Sequence, residues 1–222
     1  LGAYQAERQP ITDQVSKFAF KMSQDNSKQR REIPAEIEHD SPAGDAARAA
    51  IGKQARDLYI QQQCCGGLNF GYFYEGSPII AYDGAPHPDY SMGRFTPTSV
   101  PGCRAPHFWL RDGHSLYDAL GQDFGLLRFD PSVAVDGLVA AAEKRRFPLR
   151  VLDISDSDSC ALYARKLVLV RPDRHIAWRA DVEPDDPLEL IDQLRGARIA
   201  LSGLDIGAST MSASAVSRPS TP

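Results

Sequence analysis

Leu167-Val168-Leu169-Val170-Arg171-Pro172-Asp173-Arg174-His175-Ile176-Ala177-Trp178-Arg179 reads as a strand, a tight turn and a second strand. Four aliphatic residues in a row, two of them β-branched, are the composition of a strand. Pro172-Asp173-Arg174 supplies the turn that folds the chain back as a hairpin. Working upstream, Leu126-Leu127-Arg128-Phe129 reads as a buried strand, and Asp130-Pro131 caps a helix carrying Val133, Leu138, Val139 and Ala142 on its inner face. Leu149, Val151 and Ile154 follow as a strand, and Ser157 to Arg165 as a short helix. Downstream, Asp186-Pro187 opens a last helix whose Leu188, Ile191 and Leu194 share a face before Gly196 stops it.

The order is strand, helix, strand, helix, strand, hairpin strand, helix. A mixed sheet with a right-handed crossover first and a hairpin second is an α/β arrangement on the thioredoxin-like plan. This unit is expected over residues 97–202, with a loose Gly, Ala, Ser and Thr tail over 203–222.

The first part of the chain is helical in pattern. Ile11, Val15, Phe18 and Met22 form one stripe, which predicts a helix over residues 1–23 that Pro10 opens. Residues 23–40 are polar and predict a solvated connection. Ser41-Pro42 opens a helix to about Gln63, with Ala46, Ala50, Ile51, Leu58 and Tyr59 placed to pack. Alternation from Leu68 through Tyr74, then the Glu75-Gly76-Ser77-Pro78 turn, predicts a strand pair. The stretch 83–106, with Pro86, Pro88, Pro97, Pro101 and Pro106, predicts a long crossing, and the boundary between a unit at 1–96 and the next falls there. The chain starts at once in good helix formers without an initiator Met, which reads as a chain cut inside a helix.

With 25 Lys+Arg against 29 Asp+Glu in 222 residues, the formal net charge of −4 offers no field for gathering nucleic-acid phosphates. No apolar run approaches the ~18 residues a membrane span needs. The four cysteines lack zinc spacing and disulfide density and predict reduced thiols in a cytoplasm. Cys64, Cys65 and Cys160 read as small buried hydrophobes. Cys103 has Arg104 beside it but no resolving partner, and the helix start that would carry a thioredoxin-type thiol reads Asp130-Pro131-Ser132-Val133.

Other constellations are equally plain. Gly66-Gly67-Leu68-Asn69-Phe70-Gly71 precedes a strand rather than joining a strand to a helix, so its glycines are read as allowing close backbone packing. Gly44-Asp45 sits at a helix start and reads as a cap. His39, His87, His107, His114 and His175 have no metal spacing. Asp153, Asp156 and Asp158 lack the glycine and glutamate of a calcium loop. Arg171 and Asp173 read as a turn-stabilising ion pair.

Pro101-Gly102-Cys103-Arg104-Ala105-Pro106-His107-Phe108-Trp109-Leu110, then Asp112-Gly113, Ser115-Leu116-Tyr117-Asp118 and Gly121, then Leu126-Leu127-Arg128, resembles the C-terminal part of FAD-dependent aromatic hydroxylases, the class A flavoprotein monooxygenases. The hairpin with its Arg-Pro-Asp turn and Ala-Trp-Arg strand is similar to theirs, and Tyr4-Gln5-Ala6-Glu7-Arg8-Gln9-Pro10 is similar to the helix after their third flavin motif. The resemblance implies a parent enzyme that uses FAD and NAD(P)H to hydroxylate a phenolic or other aromatic substrate. It makes residues 1–96 the end of a flavin/substrate domain. The flavin-binding motifs of such enzymes have no counterpart here, so no cofactor is expected for this chain alone. Its expected role is structural, in docking or dimerisation, with the FAD-binding part of the same enzyme and a second copy as partners. Arg104, His107, Trp109, Arg171, Asp173 and Trp178 are the docking candidates, with the 104–110 segment expected as a buried anchor between the two units. The alternative is a self-standing thioredoxin-like binding or redox module.

Overall fold

Aliphatic runs with high strand propensity build one sheet, and the apolar helices beside it cover both of its faces. The computed structural model describes residues 2–155 and 161–197. Strands β1 (Phe124–Arg128), β2 (Leu149–Asp153), β3 (Leu167–Val170) and β4 (Ile176–Ala180) lie in the order β2-β1-β3-β4. β1 runs parallel to β2, with Leu126 opposite Val151, and antiparallel to β3, with Leu126 opposite Leu169. β3 and β4 form the hairpin, whose register shifts at Leu169/Val170.

Alternation along the strands, reset in β4 between Ile176 and Trp178 by that register shift, sorts side chains into two apolar clusters. Leu126, Leu167, Leu169 and Trp178 meet Leu138, Ala142, Leu190, Ile191 and Leu194 on one face. Leu127, Val168, Val170 and Ile176 meet Leu116, Leu120 and Tyr163 on the other. The helices on the first face are α5 (Asp136–Arg145) and α6 (Pro187–Leu194), and the second face is closed by α4 (Leu116–Leu120). α6 begins as its sequence demands, with Asp186 accepting from the Glu189 amide at 2.9 Å.

α5 departs from expectation. Asp130 instead closes a local turn, accepting the Ser132 amide and hydroxyl, and the helix starts only at Asp136. Its first-turn amide at Leu138 is taken by Glu183 Oε1 at 2.8 Å, a cap supplied from 45 residues away.

The first part also differs from its sequence pattern. α1 (Gly2–Arg31) continues through residues expected to be a connection. Lys21–Asp25 and Lys28–Glu32 pairs at i,i+4 support it there, and Lys28, Arg30 and Arg31 complement the dipole at its end. A 3₁₀ turn at Ala35–Glu38 leads to α2 (Pro42–Gln63), capped by Ser41 Oγ on the Gly44 amide at 3.2 Å. Tyr59 of α2, expected to pack, is exposed.

The expected strand pair is absent. Gly66–Phe70 forms a short helix, α3, and residues 71–106 run without regular strands. The reason is the glycine pair: a Cβ on Gly67 would lie 1.6 Å from the Ser91 carbonyl oxygen, so only glycine lets this backbone meet the 91–95 segment. There the Leu68 amide donates to Met92 O at 3.0 Å instead of to a neighbouring strand. Cys65 is buried, but Cys64 is exposed, contrary to its reading as a core residue. Asp156, Asp158, Cys160, the first four residues of the short helix expected over 157–165, and the tail at 203–222 lie outside the described residues, while residues 161–163 are helical. Among the described residues no helix is long and apolar enough to cross a membrane.

Candidate functional site

The turn after β3 aims its side chains at α1. Arg171 N–H donates to His175 O and Arg174 N–H to Arg171 O, closing the loop with Arg174 in the left-handed region at φ 69°. This geometry extends the Arg171 guanidinium to Glu7, whose two oxygens accept from Nη1 at 2.5 Å and Nη2 at 2.9 Å. Glu7 is 5% exposed, and Ser77 Oγ donates to its Oε1 at 2.6 Å. A bidentate pair with a further hydroxyl donor gives both desolvated charges good partners.

Asp173 completes the seam. Its Oδ2 accepts from Arg171 Nη2 at 3.0 Å, and its Oδ1 from the His175 amide at 3.1 Å. Burial works to raise the Asp173 carboxyl, but hydrogen bonding and charge from His175, with the charge of Arg171, hold it down at about 2. Burial likewise opposes the charge on Arg171, and the hydrogen bond to Glu7 with the Asp173 and Glu7 carboxylates more than compensates. The His175 ring is 1% exposed and lies 4.3 Å from the Tyr74 ring and 5.2 Å from that of Tyr72. Arg171 sits over Tyr74 at 5.4 Å, and Arg8 Nη1 donates to the Tyr74 hydroxyl at 3.2 Å.

The other candidates fall elsewhere. Arg104 pairs through its backbone with His175 and holds its guanidinium over Phe70 of α3 and Tyr117 of α4. His107 Nε2 lies 2.9 Å from Ser115 Oγ, and its ring meets Trp109 edge to face. Trp109, expected as a buried anchor, is 68% exposed. The reason is its position on the small 109–115 hairpin, which turns it outward while Phe108 takes the contact with the core. Trp178 belongs to the core against α5 and α6 and does not reach the seam. Glu7, Ser77, Tyr74 and His175 were not signalled in sequence, because Glu7 and Arg171 stand 164 residues apart. Cys103 is buried and its thiol is pushed up to about 12, so Arg104 does not activate it.

Residues 98–202 match the family described as the C-terminal domain of aromatic-ring hydroxylases. The chain carries an aromatic-ring hydroxylase C-terminal domain. It is 32% identical over 179 residues to the phenol 2-monooxygenase of a Pseudomonas species, covering 72% of this chain and 29% of that protein. To the FAD-dependent monooxygenase opdD of Penicillium oxalicum it is 29% identical over 148 residues, 64% of this chain and 28% of the other. Among solved structures, RebC-10x superposes with a TM-score of 0.79 at 33% identity over 89% of this chain and 37% of that one. The flavin-dependent monooxygenase PieE, solved with FAD and substrate, gives 0.66 at 25% identity over 90% and 39%. The chain thus spans about a third of the length of these relatives.

The monooxygenase opdD is FAD-dependent and PieE was solved with FAD, but the β1–α5 turn of this domain does not fit a flavin pyrophosphate. Asp130 stands in it, held ionised by Ser132 and Lys166, and the first turn of α5 already carries Asp136 and the Glu183 carboxylate. Two further carboxylates there repel a phosphate instead of cradling it.

Proposed function

We propose that this chain works as the C-terminal portion of an FAD- and NAD(P)H-dependent monooxygenase that hydroxylates a phenolic, polyketide-like or other aromatic substrate. In this reading the FAD-binding part carries the chemistry. The chain described here contributes docking, with that part and a second copy as its partners, in a cytoplasmic enzyme. Residues 1–96 close a flavin/substrate domain and residues 97–202 form a thioredoxin-like unit. The strand order β2-β1-β3-β4, with one parallel and two antiparallel pairings, supports that plan.

The observation that carries the docking reading is the Glu7–Arg171 pair. It joins the first helix to the turn of the family domain through a buried bidentate contact, a feature that fixes relative position and catalyses nothing by itself. The buried Cys103 weighs against the self-standing redox reading. Isolating the native protein from its source and measuring intact mass and visible spectrum tests the proposal. A flavin spectrum on a chain much longer than 222 residues is expected; a native 222-residue chain with no flavin partner overturns it.

A further inference from the structure

α1 is long yet poorly anchored by apolar contact. Of its residues, the buried ones are Glu7 and Met22, whereas Tyr4, Val15 and Phe20 are exposed. α6, with 8 residues, buries Leu190, Ile191 and Leu194. The sheet and its helices are closed by two apolar clusters to which no residue of α1 belongs. What reaches from α1 to that unit is polar, Glu7 to Arg171, and it is flanked by polar contacts to the 71–106 stretch, Glu7 to Ser77 and Arg8 to the Tyr74 hydroxyl.

Both charges also have somewhere to go if α1 leaves. Glu7 rides on the helix and returns to water. Arg171 keeps Asp173 Oδ2 at 3.0 Å, and the Tyr74 ring below it, so its guanidinium is not stranded without a carboxylate. Asp173 in turn stays fixed by the His175 amide. The turn of the hairpin therefore survives the loss of its partner helix.

We propose that the Glu7–Arg171 pair is a releasable latch: closed, it docks α1 on the α/β unit, and opened, it frees α1 while the sheet stays folded. α1 and the α/β unit are then separate cooperative units linked directly by this desolvated ion pair, which places the conformational freedom at the seam of α1. The proposal rests on the docking role of this pair and not on the monooxygenase chemistry, which intact mass and the flavin spectrum test separately.

Amide hydrogen exchange on the full chain tests it. Glu7→Gln and Arg171→Gln each raise exchange of the α1 amides about 100-fold, while amides of β1 and β3 change less than about threefold. The double variant opens α1 no further than either single, since both remove one interaction. Ser77→Ala, which removes only the supporting hydroxyl, gives a smaller rise of about tenfold, again confined to α1. Unchanged α1 protection in Glu7→Gln overturns the latch. So does parallel loss of protection in the sheet; should Glu7→Gln unfold the whole chain, a rise in Ser77→Ala that spreads equally to β1 and β3 confirms that refutation.

Discussion

Arg179 fastens the long 83–106 crossing to the sheet through Asp83: Arg179 Nε lies 2.7 Å from Asp83 Oδ2, and both side chains are largely buried. The same guanidinium donates from Nη1 to Ser99 Oγ at 2.7 Å, and Ser99 donates to the Tyr163 carbonyl. One arginine on β4 thus holds this strandless segment at Asp83 and again at Ser99. Replacing Asp83 by Asn leaves a buried guanidinium without its carboxylate. Denaturant unfolding is expected to show a loss of about 3–5 kcal/mol, and a change below about 0.5 kcal/mol contradicts the role assigned to the pair.

The two tryptophans separate cleanly. Trp178 fills the core beneath α5 and α6, so Trp178→Ala is expected to cost about 3–5 kcal/mol. Trp109 is exposed, so Trp109→Ala in this chain costs about 0.5 kcal/mol or less. Acrylamide quenching checks the placement independently: the quenchable emission should disappear in the Trp109 variant and persist in the Trp178 variant.

Acid should weaken the seam. The Asp173 carboxyl, held at about 2 in the folded chain against about 3.9 unfolded, contributes stability that is fully present above pH 4 and is lost as pH falls through about 2. Its side chain is 39% exposed, and solvent screening reduces the contribution to on the order of 1 kcal/mol. Asp173→Asn should flatten the stability profile between pH 4 and 2 while leaving the slope above pH 5 as it was. An unchanged acid limb would rule out this carboxylate as a contributor.

Thiol reactivity should follow burial. Cys64 is exposed and labels rapidly with a disulfide reagent at pH 8, and Cys64→Ser removes that fast phase. Cys103, with its thiol pushed up to about 12, reacts only when the chain unfolds, and insulin-disulfide reduction stays at background. Thiol-dependent turnover abolished by Cys103→Ser would restore the redox-module reading.

Flavin should not bind tightly to this chain alone. Titration of FAD is expected to leave its fluorescence unquenched, because the β1–α5 turn presents Asp130 and a carboxylate-capped helix start. Stoichiometric binding in that titration would place a flavin site in residues the geometry does not favour.

What the amino-acid sequence determined by itself are the features written within a few residues. The run Leu167–Val170 forms a strand, Arg171-Pro172-Asp173-Arg174 turns, Ser41 caps Gly44, and Asp186 caps Glu189. The family resemblance was legible for the same reason, since its motifs are local strings. Tertiary structure decided what depends on distant partners. Glu183 rather than Asp130 caps α5, close backbone packing at Gly67 replaces a strand pair by α3, and a hairpin turns Trp109 outward. Glu7 is one of three carboxylates on a polar helix, with Asp13 and Asp25, until the fold sets it against Arg171. A charge becomes structural only when a partner removes it from water, and no pattern along the chain records which partner that will be.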